Sequence, residues 1–285
     1  MPDAMVLCRF VHFTVVLMLF GAWVFKPMLS RGESALDASL LRISRWLVAV
    51  ALVSGIAWLL LITATLTGRP DAAFDPEMIG KVLGKTFFGE VWVWHLLLNV
   101  MLMAVLWAPL HNHQPLRLIL SGLLLATLAP VGHGALLDGL SGQLLILNQI
   151  VHLVCVGAWL GGLMWLVMIL RQPVGHDVRA ILRRFSGIGY ALVAGLLITG
   201  LINVRVLTGQ FWPTPLFSGF ALILLIKVML VTLMLGLALF NRIQVEGCEQ
   251  RLGTLRASVM LEWLLGIGAV AAVSLLGTLP PMIAG

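Results

Sequence analysis

The chain has 285 residues, of which 60% are hydrophobic and only 11% charged, whereas a soluble domain carries about a quarter charged residues. That apolar excess excludes an ordinary soluble globular protein and calls for lipid as the solvent. The formal charge of +6 is dispersed over short loops and the three cysteines, Cys8, Cys155 and Cys248, are odd in number and scattered, so neither a nucleic-acid surface nor a disulfide framework is indicated.

A spanning helix takes about 20 apolar residues. Segments of this kind fall near 5–26, 45–67, 90–109, 116–133, 147–170, 186–208, 216–240 and 258–279. Runs such as Val48 to Val53 and Leu222 to Ile226 are apolar on every side, which excludes the alternating strands of a membrane barrel. The expected fold is therefore an all-α integral membrane protein, a single bundle of about eight transmembrane helices over residues 1–285. The first segment lacks a small-x-small cleavage site before Lys26 and Pro27, so it reads as a retained helix rather than a signal peptide.

Basic residues set the orientation. Lys26, Arg31, Arg42, Arg45, Arg117, Arg171, Arg179, Arg183, Arg184, Arg242, Arg251 and Arg256 lie in or beside the odd-numbered loops, against Arg69, Lys81 and Lys85 in the even ones. Positive charge stays in the cytoplasm, which places both termini on the outer side, the periplasm of a Gram-negative bacterium. The longest outward connection, Gly68 to Gly89, is too short for a domain, so binding or chemistry must occur within the bundle or at its rims.

Ionisable residues inside spanning helices are costly and are functional candidates by default. In chain order, His12, His95, His133 and His152 come from four segments and all fall toward the outward side, while His111, His113 and His176 lie in cytoplasmic loops. A single membrane histidine more often hydrogen-bonds a neighbouring helix; four at one depth form a constellation. Cys8 precedes His12 by four residues and Cys155 follows His152 by three, spacings that put thiol and imidazole on one helical face. Imidazole with thiolate suits Cu(I) first and zinc second, although a cysteine in an apolar helix is more often a small packing residue. Arg9, Arg205, Lys227 and Glu262 are further charges within apolar segments. Lys227 is the deepest, with Glu262 a partner only if the helices bring the two to one depth.

Arg9-Phe10-Val11-His12-Phe13 with Gly21, Gly132-His133-Gly134, and the run His152 to Leu163 resemble the CopD/PcoD copper-resistance family of inner-membrane proteins. Arg184-Phe185-Ser186, Lys227, Asn241-Arg242 and Leu261-Glu262-Trp263 follow in the same order, so the resemblance spans essentially the whole chain. It implies a multi-pass protein of the bacterial inner membrane that handles copper, alongside a small periplasmic copper-binding partner of the CopC type. The family's histidines map onto His12, His133 and His152; His95 is less typical.

Both readings meet in one expectation. His12, His133 and His152, with His95 and Cys155, bind a copper ion, Cu(I) rather than Cu(II), at the periplasmic mouth, with Asp138 and Asn148 as supporting or entry groups. Because metal and proton compete for imidazole, capture should weaken below about pH 6.5. The runner-up is an oxidoreductase holding b-type haem on paired histidines and exchanging electrons with quinone. A scaffold that only recruits a periplasmic chaperone is the third reading. No phosphate-binding Gly-x-x-x-x-Gly-Lys-Ser/Thr motif and no His-Glu-x-x-His or nucleophile-elbow signature is present, so ATP-driven pumping and hydrolysis lack support and no enzymatic activity is expected.

Overall fold

The structure, a computed structural model, describes residues 2–29, 35–108, 113–131, 139–212, 215, 217, 219–245 and 251–279. Among the described residues there are nine α-helices and no strand: α1 (Pro2–Leu29), α2 (Ala35–Thr67), α3 (Pro76–Lys85), α4 (Phe87–Trp107), α5 (Gln114–Ala126), α6 (Gly139–Arg171), α7 (Val178–Thr208), α8 (Gly219–Ile243) and α9 (Leu252–Leu276). Seven of them, all but α3 and α5, are long and apolar enough to cross a membrane.

Eight helices sit where the apolar segments predict them, but α5 departs in length. It ends at Ala126 rather than near residue 133, and its 13 residues rise only about 20 Å, short of a hydrocarbon core of roughly 30 Å. Thr127 closes it at the backbone level, its N–H returning to the Leu123 carbonyl. The outward connection also holds more structure than composition shows. A 3-10 turn over Pro70–Phe74 leads into α3, whose start is fixed by Pro76 and by the Asp75 carboxylate accepting from the Glu77 N–H at 2.9 Å. Thr86 then caps α4, its hydroxyl accepting from the Gly89 N–H at 3.0 Å.

The helix α6 is the centre of the bundle, with 83% of its most apolar window buried inside the protein. It packs on α1, α7 and α9, and α1 in turn packs on α2 and α5. Glycines let α1 and α6 meet backbone to backbone. A Cβ on Gly21 would overlap the Gly157 carbonyl, and one on Gly161 would overlap the backbone of Gly21 and Ala22. The Trp165 indole N–H donates to the Ala22 carbonyl at 2.8 Å across the same contact. By contrast α7 and α8 present most of their apolar surface outward, as lipid-facing helices must.

Candidate functional site

The candidate histidines among the described residues fall into two groups about α1. On one side α1 turns Cys8 and His12 toward α2. The Cys8 thiol donates to the Ser54 carbonyl at 3.3 Å, and His12 Nδ1 lies 2.9 Å from the Ser54 hydroxyl. The two residues thus share a patch, as four-residue spacing requires. From α4 comes His95, fully buried like His12, its Nδ1 2.7 Å from the Thr127 hydroxyl at the end of α5. The two imidazoles meet Nε2 to Nε2 at 3.0 Å.

The hydroxyls are themselves held by the backbone. Ser54 Oγ donates to the Val50 carbonyl at 2.7 Å, and Thr127 Oγ1 donates to the Leu124 carbonyl at 2.7 Å. Each Nδ1 is thus anchored from behind by a hydroxyl. The two Nε2 atoms meet at 3.0 Å, the distance of an N–H···N hydrogen bond in which one ring donates to the other. This is also how metal-binding histidines are oriented: the outer nitrogen is anchored and the inner one is presented.

Aromatic rings enclose the pair. Trp92 stacks on His95 at 4.6 Å and 12° and donates its indole N–H to the Gly55 carbonyl at 3.0 Å, while Trp58 meets His12 edge-on at 5.6 Å. These walls exclude water from the imidazoles.

On the other side of α1, Arg9 and Phe13 face α6 across a cavity of about 190 Å³ bounded by α1, α6, α7, α8 and α9. His152 lines it, its Nδ1 2.9 Å from the Thr199 hydroxyl, which donates to the Gly195 carbonyl at 2.5 Å. Cys155 shares that face, as its spacing predicts, but packs against Gly195 of α7, where even a Cβ would crowd its sulfur. Asn148 is a structural bracket between α6 and α7, donating to the Thr199 carbonyl at 3.1 Å and to Asn203 at 2.9 Å.

Of the residues expected to share one site, the fold brings His12 and His95 together. His152 and Cys155 stand on the opposite face of α1. His133 and Asp138 lie outside the described residues. No group of three or more histidine, cysteine or acidic side chains suited to a metal occurs among the described residues, so the pair supplies two nitrogens and no further ligand from that set. Ser54, Thr127, Trp58 and Trp92 are the residues that sequence reasoning missed. A hydroxyl inside an otherwise apolar segment, at the depth of a histidine, is the signal that would have found the first two.

Lys227 and Glu262 do not pair. Glu262 is buried and accepts from Trp159 Nε1 at 2.8 Å and from Asn241 Nδ2 at 2.9 Å. Lys227 lines the cavity with His152, whereas Glu262 lines a second one of about 180 Å³; Trp159 borders both.

A multi-helix membrane protein with a caged, intramembrane histidine pair is the class that fold and site define. Residues 1–143 match the family described as Copper resistance protein D-like, N-terminal domain, and residues 179–276 match Copper resistance protein D. The chain is 31% identical over 288 residues to Inner membrane protein YebZ of Escherichia coli K12, covering 96% of this chain and 97% of that one. It is 25% identical over 297 residues to Copper resistance protein D of Pseudomonas syringae pv. tomato, covering 96% and 95%. No solved structure matches it. The chain belongs to the copper resistance protein D family, whose members are membrane proteins linked to copper resistance.

Proposed function

We propose that this protein binds copper in the bacterial inner membrane and passes it on, taking the ion on the Nε2 atoms of His12 and His95 near the periplasmic side. The observation that carries this reading is the pair of Nε2 atoms converging at 3.0 Å, each imidazole anchored from behind by a hydroxyl on Nδ1. In a tetrahedral centre with metal–nitrogen bonds of about 2.0 Å, two nitrogens lie roughly 3.3 Å apart, so a shift of a few tenths of an ångström admits the ion. Copper in its reduced state accepts imidazole and soft sulfur ligands. His133 is proposed as the third ligand, and Cys8, beside Ser54, is the thiol best placed to assist. A CopC-like periplasmic protein is the proposed donor or acceptor at the rim, with both chain termini on its side.

Haem is served poorly by the same pair. Axial ligands must stand on opposite faces of the macrocycle, about 4 Å apart at bonds of roughly 2 Å, and the stacked Trp92 occupies the flank of His95.

The test is an anaerobic Cu(I) titration of the detergent-purified chain against a competing chelator. Tight stoichiometric binding that is lost in His12→Ala and His95→Ala, and kept in His152→Ala, is the expected result. Binding that survives the double His12→Ala/His95→Ala substitution would overturn the assignment, and a Soret band in the purified protein would return the haem reading.

A further inference from the structure

The cavity on the far side of α1 has a chemistry opposite to that of a metal site. Arg9 and Lys227 both line it, and among the described residues no carboxylate does. Arg9 leans over the Trp58 ring at 5.0 Å, and its Nε has no hydrogen-bond partner among the described residues. Lys227 is the ninth residue of α8, about 12 Å along it, and the salt bridges Lys26–Asp37, Arg69–Asp71 and Lys81–Glu77 involve neither it nor Arg9. Two cations facing one apolar chamber repel each other and any metal ion, and burial without a counter-charge is costly. Charge balance there calls for an anion.

The remaining lining fixes what kind of anion. Apart from the two cations, His152, Gln149 and Asn203, the walls are almost wholly apolar. Gln149 uses its carbonyl to accept from Asn203 at 2.9 Å, which leaves its NH₂ as a further donor. At about 190 Å³ the chamber exceeds the 150 Å³ that holds a benzene ring, room for a small head and a few methylenes but not for a whole lipid. A longer chain has an exit. Helix α7 rests on α6 and α8 on α9, while α7 and α8 meet each other sparsely and face lipid along most of their length, leaving a lateral seam beside Lys227.

We propose that this cavity binds one anionic amphiphile, a carboxylate or phosphate head held by Arg9 and Lys227 with its acyl chain running out between α7 and α8. The site shares no proposed ligand residue with the histidine pair. A free fatty acid and an acidic phospholipid share this chemistry.

Trp159 borders the cavity and reports on it, because bromine on an acyl chain quenches indole fluorescence at contact. The full-length protein in neutral detergent is titrated with brominated oleic acid, brominated phosphatidylglycerol and brominated diacylglycerol, with Trp159→Phe subtracted to isolate the one indole. Native mass spectrometry counts bound molecules in parallel and needs no substitution. Saturable quenching by the fatty acid or by phosphatidylglycerol identifies which source is taken, and either supports the site. Affinity should fall about tenfold or more in Arg9→Met or Lys227→Met, as expected for losing a charge-assisted contact. Equal quenching by diacylglycerol, absence of Trp159-specific quenching by both anions, or unchanged affinity in both charge variants would overturn it.

Discussion

At the scale of single residues, the copper site depends on groups that never touch the metal. Ser54 and Thr127 hydrogen-bond Nδ1 of His12 and His95, and so turn Nε2 of both rings toward each other. Removing such an outer partner typically weakens metal binding 10- to 100-fold. Ser54→Ala and Thr127→Val are therefore expected to lower Cu(I) affinity by about that factor while leaving stoichiometry at one ion, measured by competition with a chelator of known affinity. The pH dependence has a definite sign. A proton and a metal ion compete for the same lone pairs, so apparent affinity must fall as pH falls, most steeply where the imidazoles titrate. Chelator competition at a series of pH values measures the slope, and an affinity independent of pH would mean that non-titrating ligands such as thioethers held the ion.

At the scale of helices, the contact between α1 and α6 seats α1 in the bundle, and it depends on glycine. Gly161→Ala inserts a methyl group where the backbone of Gly21 and Ala22 already lies. Overpacking of this kind costs about 1–3 kcal/mol, so the variant should unfold at lower temperature and lose copper affinity together. Gly187→Ala on α7, with open space around it, should do neither; thermal unfolding followed by tryptophan fluorescence separates the two. A second test at this scale concerns Glu262. Exchanging it for Gln replaces an acceptor oxygen by an NH₂ opposite Asn241 Nδ2 or Trp159 Nε1, leaving one buried donor unmatched at a cost of about 1–3 kcal/mol. The same unfolding assay should register that loss even in a Lys227→Met background, because the two charges occupy different cavities.

The helices themselves were legible because apolar runs of spanning length have few other readings. The shared patch of Cys8 and His12 was visible in the same way, from their four-residue spacing. What composition did not show was which face each residue takes. His12 and Arg9 are three positions apart and share contact with Trp58 of α2, yet His12 turns to Ser54 and His95 while Arg9 also lines the cavity bounded by α6 to α9. Nor could it show that α5 stops short at Ala126, since the apolar composition continues past the point where Thr127 turns its N–H back to the helix.

At the scale of the whole molecule, α1 is a partition. Its Cys8 and His12 close an aromatic-walled chamber around the imidazole pair with α2, α4 and α5, while Arg9 and Phe13 line a cationic cavity with α6 to α9. The two meet at Trp58, which touches His12, Phe13 and Arg9. Sites with no shared ligand residues should respond to substitution almost additively, within about 0.5 kcal/mol. His95→Ala is expected to abolish Cu(I) binding and leave fatty-acid quenching of Trp159 unchanged, while Lys227→Met should do the converse. Arg9 is the exception, because its guanidinium also lies over Trp58, which borders His12. Arg9→Met should therefore weaken the anion site and, by removing a cation from beside the histidine chamber, strengthen Cu(I) binding; isothermal titration of copper into the wild type and this variant measures the sign, and weaker copper binding in Arg9→Met would mean that the two chambers are not electrostatically opposed.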